Sequence, residues 1–168
     1  VYHTWKPPYY KFGMPDEQII SVNGQNRKFY PVGWGGSGVT IQSPGAVTGI
    51  VFNSPNAVAI ATLKGQLMSN STTGISSNSQ RKMVRTDNGI YHLVYESMGN
   101  VYYTHSLTSN LDGSWSQEEL LMTNAKNPAI EYHVNNVKIV LEFYDPVYGP
   151  DAIIYLATYA PNASGVYT

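Results

Sequence analysis

An all-β fold is predicted by three features of this chain: short β-prone runs divided by turn clusters, a spacing between runs that recurs, and a composition poor in charge. The clearest runs are Gln80–Arg85, Ile90–Ser97, Val101–Leu107 and Trp115–Leu121, divided by Asp87-Asn88-Gly89, Met98-Gly99-Asn100 and the polar stretch Thr108–Ser114. Asn and Gly accept the positive φ angles of tight hairpins, while a run such as IYHLVYES is dense in residues that suit a pleated, half-buried surface. Only 12% of the 168 residues are charged, against about 25% in average globular chains, and the sequence holds 14 Tyr, 15 Gly and 10 Pro. Strands, turns and aromatic surface follow from that balance.

Four such runs make an antiparallel meander of about 40 to 45 residues, the length of one propeller blade. The pattern then restarts with Asn127–Tyr132, a turn at Asn135-Asn136, Val137–Phe143 and Ala152–Tyr159. Laying Tyr91–Ser97 over Val137–Phe143 puts Val94 on Val140 and Glu96 on Glu142, an offset of about 46 residues that suits a blade repeat. The third strands align with Val101 on Ile153, because the loop Tyr144–Asp151 is longer than Met98–Asn100. The second copy reaches only the start of a fourth strand near Val166–Thr168, so the expected fold is an incomplete β-propeller of four-stranded antiparallel meanders. Open strand edges attract partners, and Ala152–Tyr159 is therefore expected to pair on its outer side with a segment that does not follow it directly.

Residues 69–168 are assigned to these blades and residues 1–68 to a β-rich N-terminal region, with room for preceding blades. There, Gln18–Val22 and Arg27–Val32 flank Asn23-Gly24, and Gly33 to Gly38 reads as a loop around Trp34. Val39–Gln42, Ala46–Phe52 and Ala57–Leu63 are three further strands, divided by Ser43-Pro44-Gly45 and Ser54-Pro55-Asn56. None of them registers against the later repeat.

Ten Lys and Arg against eleven Asp and Glu leave a net charge of -1, without the cationic footprint that nucleic acid selects. The longest apolar stretch, Ala46–Leu63, is broken by Asn, Ser, Pro and Gly, so no membrane-spanning helix is expected. There is no Cys, and His3, His92, His105 and His133 lack ligand spacing, so neither a metal nor a cofactor is expected. The chain opens at Val1 without a basic-then-apolar leader, as a processed product or fragment would. Low charge with abundant Tyr, Asn, Ser and Thr points to an extracellular or cell-surface location.

The segment Ser109-Asn110-Leu111-Asp112-Gly113-Ser114-Trp115 resembles a degenerate Asp-box, the Ser-x-Asp-x-Gly-x-x-Trp hairpin of sialidase-like propellers. It occupies the slot between third and fourth strands where that family carries the motif. It departs from the family spacing, since Gly113 follows Asp112 directly and only Ser114 precedes Trp115. An ordinary Asp-Gly hairpin beside a core Trp is the plainer alternative. Either way, Ser109, Asp112, Gly113 and Trp115 form a structural turn, with the Asp carboxylate binding local N–H groups and Trp115 buried between sheets. The wider run NSQRKMVRTDNGIYHLVYES through NPAIEYHVNNVKIVLE is similar to blades of secreted bacterial propellers with sialidase-like repeats. That resemblance implies a fold and a location, and leaves activity open.

Sialidase chemistry, as the resemblance implies it, needs three arginines on a carboxylate, a Tyr nucleophile backed by a Glu, and an Asp acid. The chain has Arg27, Arg81 and Arg85 alone. Arg81 and Arg85 would share one face of an extended strand, as a sugar-acid clamp or as solvated rim residues. Tyr95-Glu96 and Glu118-Glu119 are adjacent pairs that point to opposite faces and do not act together. The loop from Asp145 to Asp151 reads as a calcium loop or, more simply, as a Pro-Gly-shaped connection. Tyr2, Trp5, Tyr9, Tyr10 and Phe12 form an aromatic group suited to sugar rings or to packing. The candidate ligand-binding residues are thus Arg81, Arg85, Trp5, Tyr9 and Tyr10, with no catalytic set. The expected role is a propeller module that recognises a glycan or protein, or builds an assembly, with the rest of a parent protein or adjacent subunits as partners. A sialidase-like glycoside hydrolase completed outside this chain and a purely structural repeat are the alternatives.

Overall fold

A computed structural model describes residues 9–72, 74, 80–145, 147, 152–162 and 167. Among these residues there is no helix, and the strands form four antiparallel sheets, none closed on itself. No helix among them is long and apolar enough to cross a membrane. The chain divides into two compact units, Val1–Met68 and Ser69–Thr168.

The first unit holds β1 (Tyr10–Gly13), β2 (Gln18–Val22), β3 (Gln25–Ser37), β4 (Val39–Ile41), β5 (Val47–Phe52) and β6 (Val58–Gly65). Their order is β1-β5-β4 in one sheet and β2-β3-β6 in the other. Asn23 and Gly24, with φ of 52° and 77°, close the β2–β3 hairpin as a two-residue turn that demands positive φ at both positions. The expected loop at Gly33–Gly38 is not found: β3 runs through Gly33–Ser37 and pairs with β6 from Phe29 to Ser37. Pro31 has no N–H to give, and the register shifts between Pro31 and Gly33, so the glycines continue the strand past a bulge. Gly36 has φ of +145°, and a Cβ there would sit 1.9 Å from the Val58 carbonyl oxygen, so this approach of β3 to β6 requires glycine. Strand β1 also lies inside a stretch that the sequence marked only as aromatic.

Burial in this unit is sparse. Ile50 and Thr48 are enclosed, and so is Lys64, whose Nζ donates to the carbonyls of Gly65 (3.0 Å) and Met68 (3.2 Å) and lies 5.8 Å from the Tyr30 ring centre. Carbonyl and ring partners replace the lost hydration of the ammonium.

The second unit opens with a four-stranded meander of β7 (Met83–Arg85), β8 (Tyr91–Ser97), β9 (Asn100–His105) and β10 (Glu119–Met122), in the order β10-β9-β8-β7. A second sheet follows, made of β11 (Ala125–His133), β12 (Asn136–Tyr144) and β13 (Ala152–Tyr159) in chain order. The meander agrees with the spacing in sequence, except that the fourth strand starts at Glu119 and Trp115 makes only an isolated bridge to Ser106. The turn into β12 is Val134-Asn135, one residue earlier than expected, with φ of 48° and 61°.

The two sheets of this unit stack face to face. Val84, Val94, Val101 and Tyr103 of the first sheet share a buried cluster with Ile130, Val137, Ile139 and Leu141 of the second, joined by Ala125 and Tyr167. Hydrogen bonds tie the sheets as well, from Ile130 N–H to the Arg81 carbonyl (2.8 Å) and from the Lys82 side chain, whose Nζ donates to the Pro128 carbonyl. Within the chain β13 is an edge, and no strand lies beyond it among the described residues. Its residues Ile154 and Leu156 are 66% and 57% exposed. The pairing also corrects the repeat alignment. Glu96 faces Val101 as Glu142 faces Ile154, and Val94 faces Tyr103 as Val140 faces Leu156, so Val101 corresponds to Ile154 and not to Ile153. A one-residue slip exchanges the two faces of a strand, which makes this correction decisive for reading surfaces.

Candidate functional site

The structure does not gather the residues singled out from sequence. Trp5 lies outside the described residues, and Tyr9 and Tyr10 are exposed in the first unit, where the Tyr10 ring meets Phe52 edge-on at 5.9 Å. Arg81 and Arg85 are both in the second unit, but only Arg85 belongs to β7, so no strand face unites them. Arg85 Nε donates to the Gly89 carbonyl (3.3 Å) and its guanidinium lies over the Tyr91 ring, while Arg81 borders a groove on the second sheet with Glu131, Lys138, Val140 and Leu156.

The Asp-box-like turn is built by other side chains than the motif suggests. Thr108 Oγ1 accepts from Asn110 N–H and Asn110 Oδ1 accepts from Asp112 N–H (3.1 Å), while Ser109 and Asp112 are exposed. Gly113 N–H closes the bend onto the Asn110 carbonyl (3.1 Å). Trp115 is half-buried rather than buried, with Nε1 donating to the Leu111 carbonyl at 3.3 Å, so it seals the loop and stays outside the inter-sheet cluster. Of the loop at Asp145, the described part is a local bond from Val147 N–H to Asp145 Oδ1, and the remainder lies outside the described residues. No group of three or more His, Asp or Glu among the described residues is placed to hold a metal.

A different set of polar groups converges in the second unit. Alternation along β9 puts Tyr103 and His105 on one face, and cross-strand pairing sets His92 opposite His105 and Glu119 opposite Tyr103. Stacking of the second sheet brings Tyr159, from the end of β13, onto the Tyr103 ring at 4.3 Å with the planes 20° apart. A bridge between Pro161 and Tyr167 returns the chain so that the Tyr167 ring meets His92 edge-on at 4.7 Å. Together Tyr103, His105, Ser116, Gln117, Glu119, Tyr159 and Tyr167 line a cleft of about 400 Å³.

The electrostatics of this cleft follow from burial. His92 is fully enclosed, its Nδ1 is 2.7 Å from the Tyr103 hydroxyl, and burial, aided by neighbouring His105, pushes its pKa down to about 4. Burial also lowers His105. The phenols of Tyr103 and Tyr159 are both pushed up, first by burial and then by the negative charge of Glu119, to which the Tyr159 hydroxyl is hydrogen-bonded. Near neutral pH the imidazoles and these two phenols are uncharged, around one carboxylate. His92 Nε2 and His105 Nδ1 are enclosed without a hydrogen-bond partner among the described residues.

The Tyr159–Glu119 pair has the residue types of a backed tyrosine nucleophile, yet a raised phenol pKa opposes formation of the phenolate, and no Arg or Lys among the described residues borders the cleft. The adjacent Glu118 hydrogen-bonds Tyr95, so the two glutamates serve separate tyrosines, as alternation of side chains requires. Sequence reasoning missed this cleft because its walls come from both sheets. The one local signal was the alternation of Tyr103 and His105 in the run VYYTH.

No family model, curated protein or solved structure matches the chain.

Proposed function

We propose that the chain is a non-catalytic module of a secreted or cell-surface protein, built of stacked blades of the propeller type, that recognises a glycan or protein and assembles by laying a further sheet on its free face. The observation that carries this reading is a mismatch between equivalent faces of the two sheets. Val94, Val101 and Tyr103 are buried against the second sheet, whereas their counterparts Val140, Ile154 and Leu156 are open to solvent. Contiguous apolar surface framed by charge marks an interaction face, and here Arg81, Glu131 and Lys138 frame the apolar strip around Val140 and Leu156. A sheet buries its apolar face against another layer, and the same strip of a second copy supplies such a face.

Sedimentation over a concentration series tests the reading. The chain should self-associate, and Leu156→Lys should weaken association by at least about tenfold, because a charge would be placed at the centre of the buried strip. A wild-type chain that remains monomeric throughout would count against assembly through this face.

A further inference from the structure

The cleft at Tyr103, His105, Glu119 and Tyr159 has a charge pattern that restricts what it can hold. A carboxylated sugar needs a cation, and the described residues offer none: no Lys or Arg among them lines the walls, His92 and His105 are neutral, and Glu119 would repel a second carboxylate. The walls offer a carboxylate with acceptor sites beyond its one phenol and the Gln117 amide, beside the half-buried Tyr159 ring. Those groups complement alternating hydroxyls above an apolar C–H face.

We propose that this cleft is a saccharide subsite for an uncharged pyranose, in which Glu119 and Gln117 hold neighbouring hydroxyls and Tyr159 contacts the C–H face, beside the His105 ring. The proposal rests on the recognition reading above and narrows it, because it turns away the acidic sugars that a sialidase-like fold would suggest.

The test is a titration followed by NMR, with the methyl glycosides of glucose, galactose and mannose as neutral probes, glucuronic acid and N-acetylneuraminic acid as acidic probes, and choline as the cationic one. At least one neutral glycoside should bind with Kd of about 1 to 10 mM, a common strength for a single shallow sugar contact, and should shift the His105 ring resonances. Glu119→Gln should weaken that binding about tenfold, the loss of a charge-assisted hydrogen bond, and Gln117→Ala should weaken it less. Both side chains are exposed, so neither change should disturb the fold, and an unchanged thermal midpoint would verify this. Binding of an acidic sugar or of choline in preference to the neutral glycosides would overturn the proposal, as would failure of all the neutral glycosides to bind. Neutral binding that leaves His105 unshifted and ignores Glu119→Gln would overturn this site while leaving glycan recognition elsewhere on the chain intact. Self-association, measured separately, would be untouched by either result.

Discussion

Replacing His92 with Phe should flatten the acid limb of the stability curve. His92 is enclosed by the Tyr103 hydroxyl, the His105 ring and the Tyr167 ring, with Val84 opposite it on β7. Its pKa falls from 6.5 in the open chain to about 4 in the fold. Between those values the unfolded chain binds a proton that the folded imidazole refuses. Stability from this group is therefore complete above pH 6.5, is lost as pH falls toward 4, and changes no further below that. The separation corresponds to about 3 kcal/mol at most, and about 1 to 3 kcal/mol once the half-buried His105 side of the pocket is allowed some solvent. Phe keeps an aromatic ring, somewhat larger than imidazole, and cannot titrate. It also strands the Tyr103 hydroxyl, so at pH 7 the variant should be less stable by about 1 to 3 kcal/mol. Urea denaturation at intervals from pH 7 to pH 4 measures both effects. The wild-type midpoint should fall more steeply than that of His92→Phe, and the curves should converge toward pH 4. Parallel curves would refute the placement of a neutral, buried His92.

Three further outcomes follow from the packing. Trp115→Ala should cost about 1 to 2 kcal/mol in chemical denaturation, below the 3 to 5 kcal/mol of a fully buried aromatic, because the ring is half-buried outside the cluster; a larger loss would return it to the core. Val134→Asn should stabilise the chain by about 1 kcal/mol, read as a raised thermal midpoint, since a β-branched residue at φ of 48° is strained and Asn tolerates that region. Lys82→Ala should destabilise by about 1 to 2 kcal/mol by leaving the buried Pro128 carbonyl without its donor, while Lys82→Arg should recover part of the loss.

Much of this fold is legible in the sequence because its signals are local. The hairpin turns at Asn23-Gly24, Gly89 and Gly99 announce themselves through residues that accept positive φ. Runs such as Tyr91–Ser97 and Val137–Phe143 carry strand propensity along their whole length. Gly33–Ser37 misleads because glycine-rich sequence usually means a loop, whereas here the missing side chains let β3 press against the Val58 carbonyl. Register was the harder matter. The alignment of Val101 on Ile153 was off by one residue, enough to turn the exposed strip of Ile154 and Leu156 toward the wrong face. Residue type alone singles out the aromatic and arginine candidates, but binding sites are made by convergence. Tyr159 reaches Tyr103 and Glu119 only because two sheets stack, and no spacing within either strand encodes that.

The face comparison on which assembly rests can be measured by methyl NMR with a soluble paramagnetic agent. In dilute chain, the methyls of Val140, Ile154 and Leu156 should relax strongly, while those of Val94, Ile139 and Leu141 should remain shielded. Raising the concentration should then shield the first group without altering the second. Shielded Val140 and Leu156 in the dilute chain, or exposure of Val94 and Ile139, would contradict the stacking of the two sheets and the open face that follows from it.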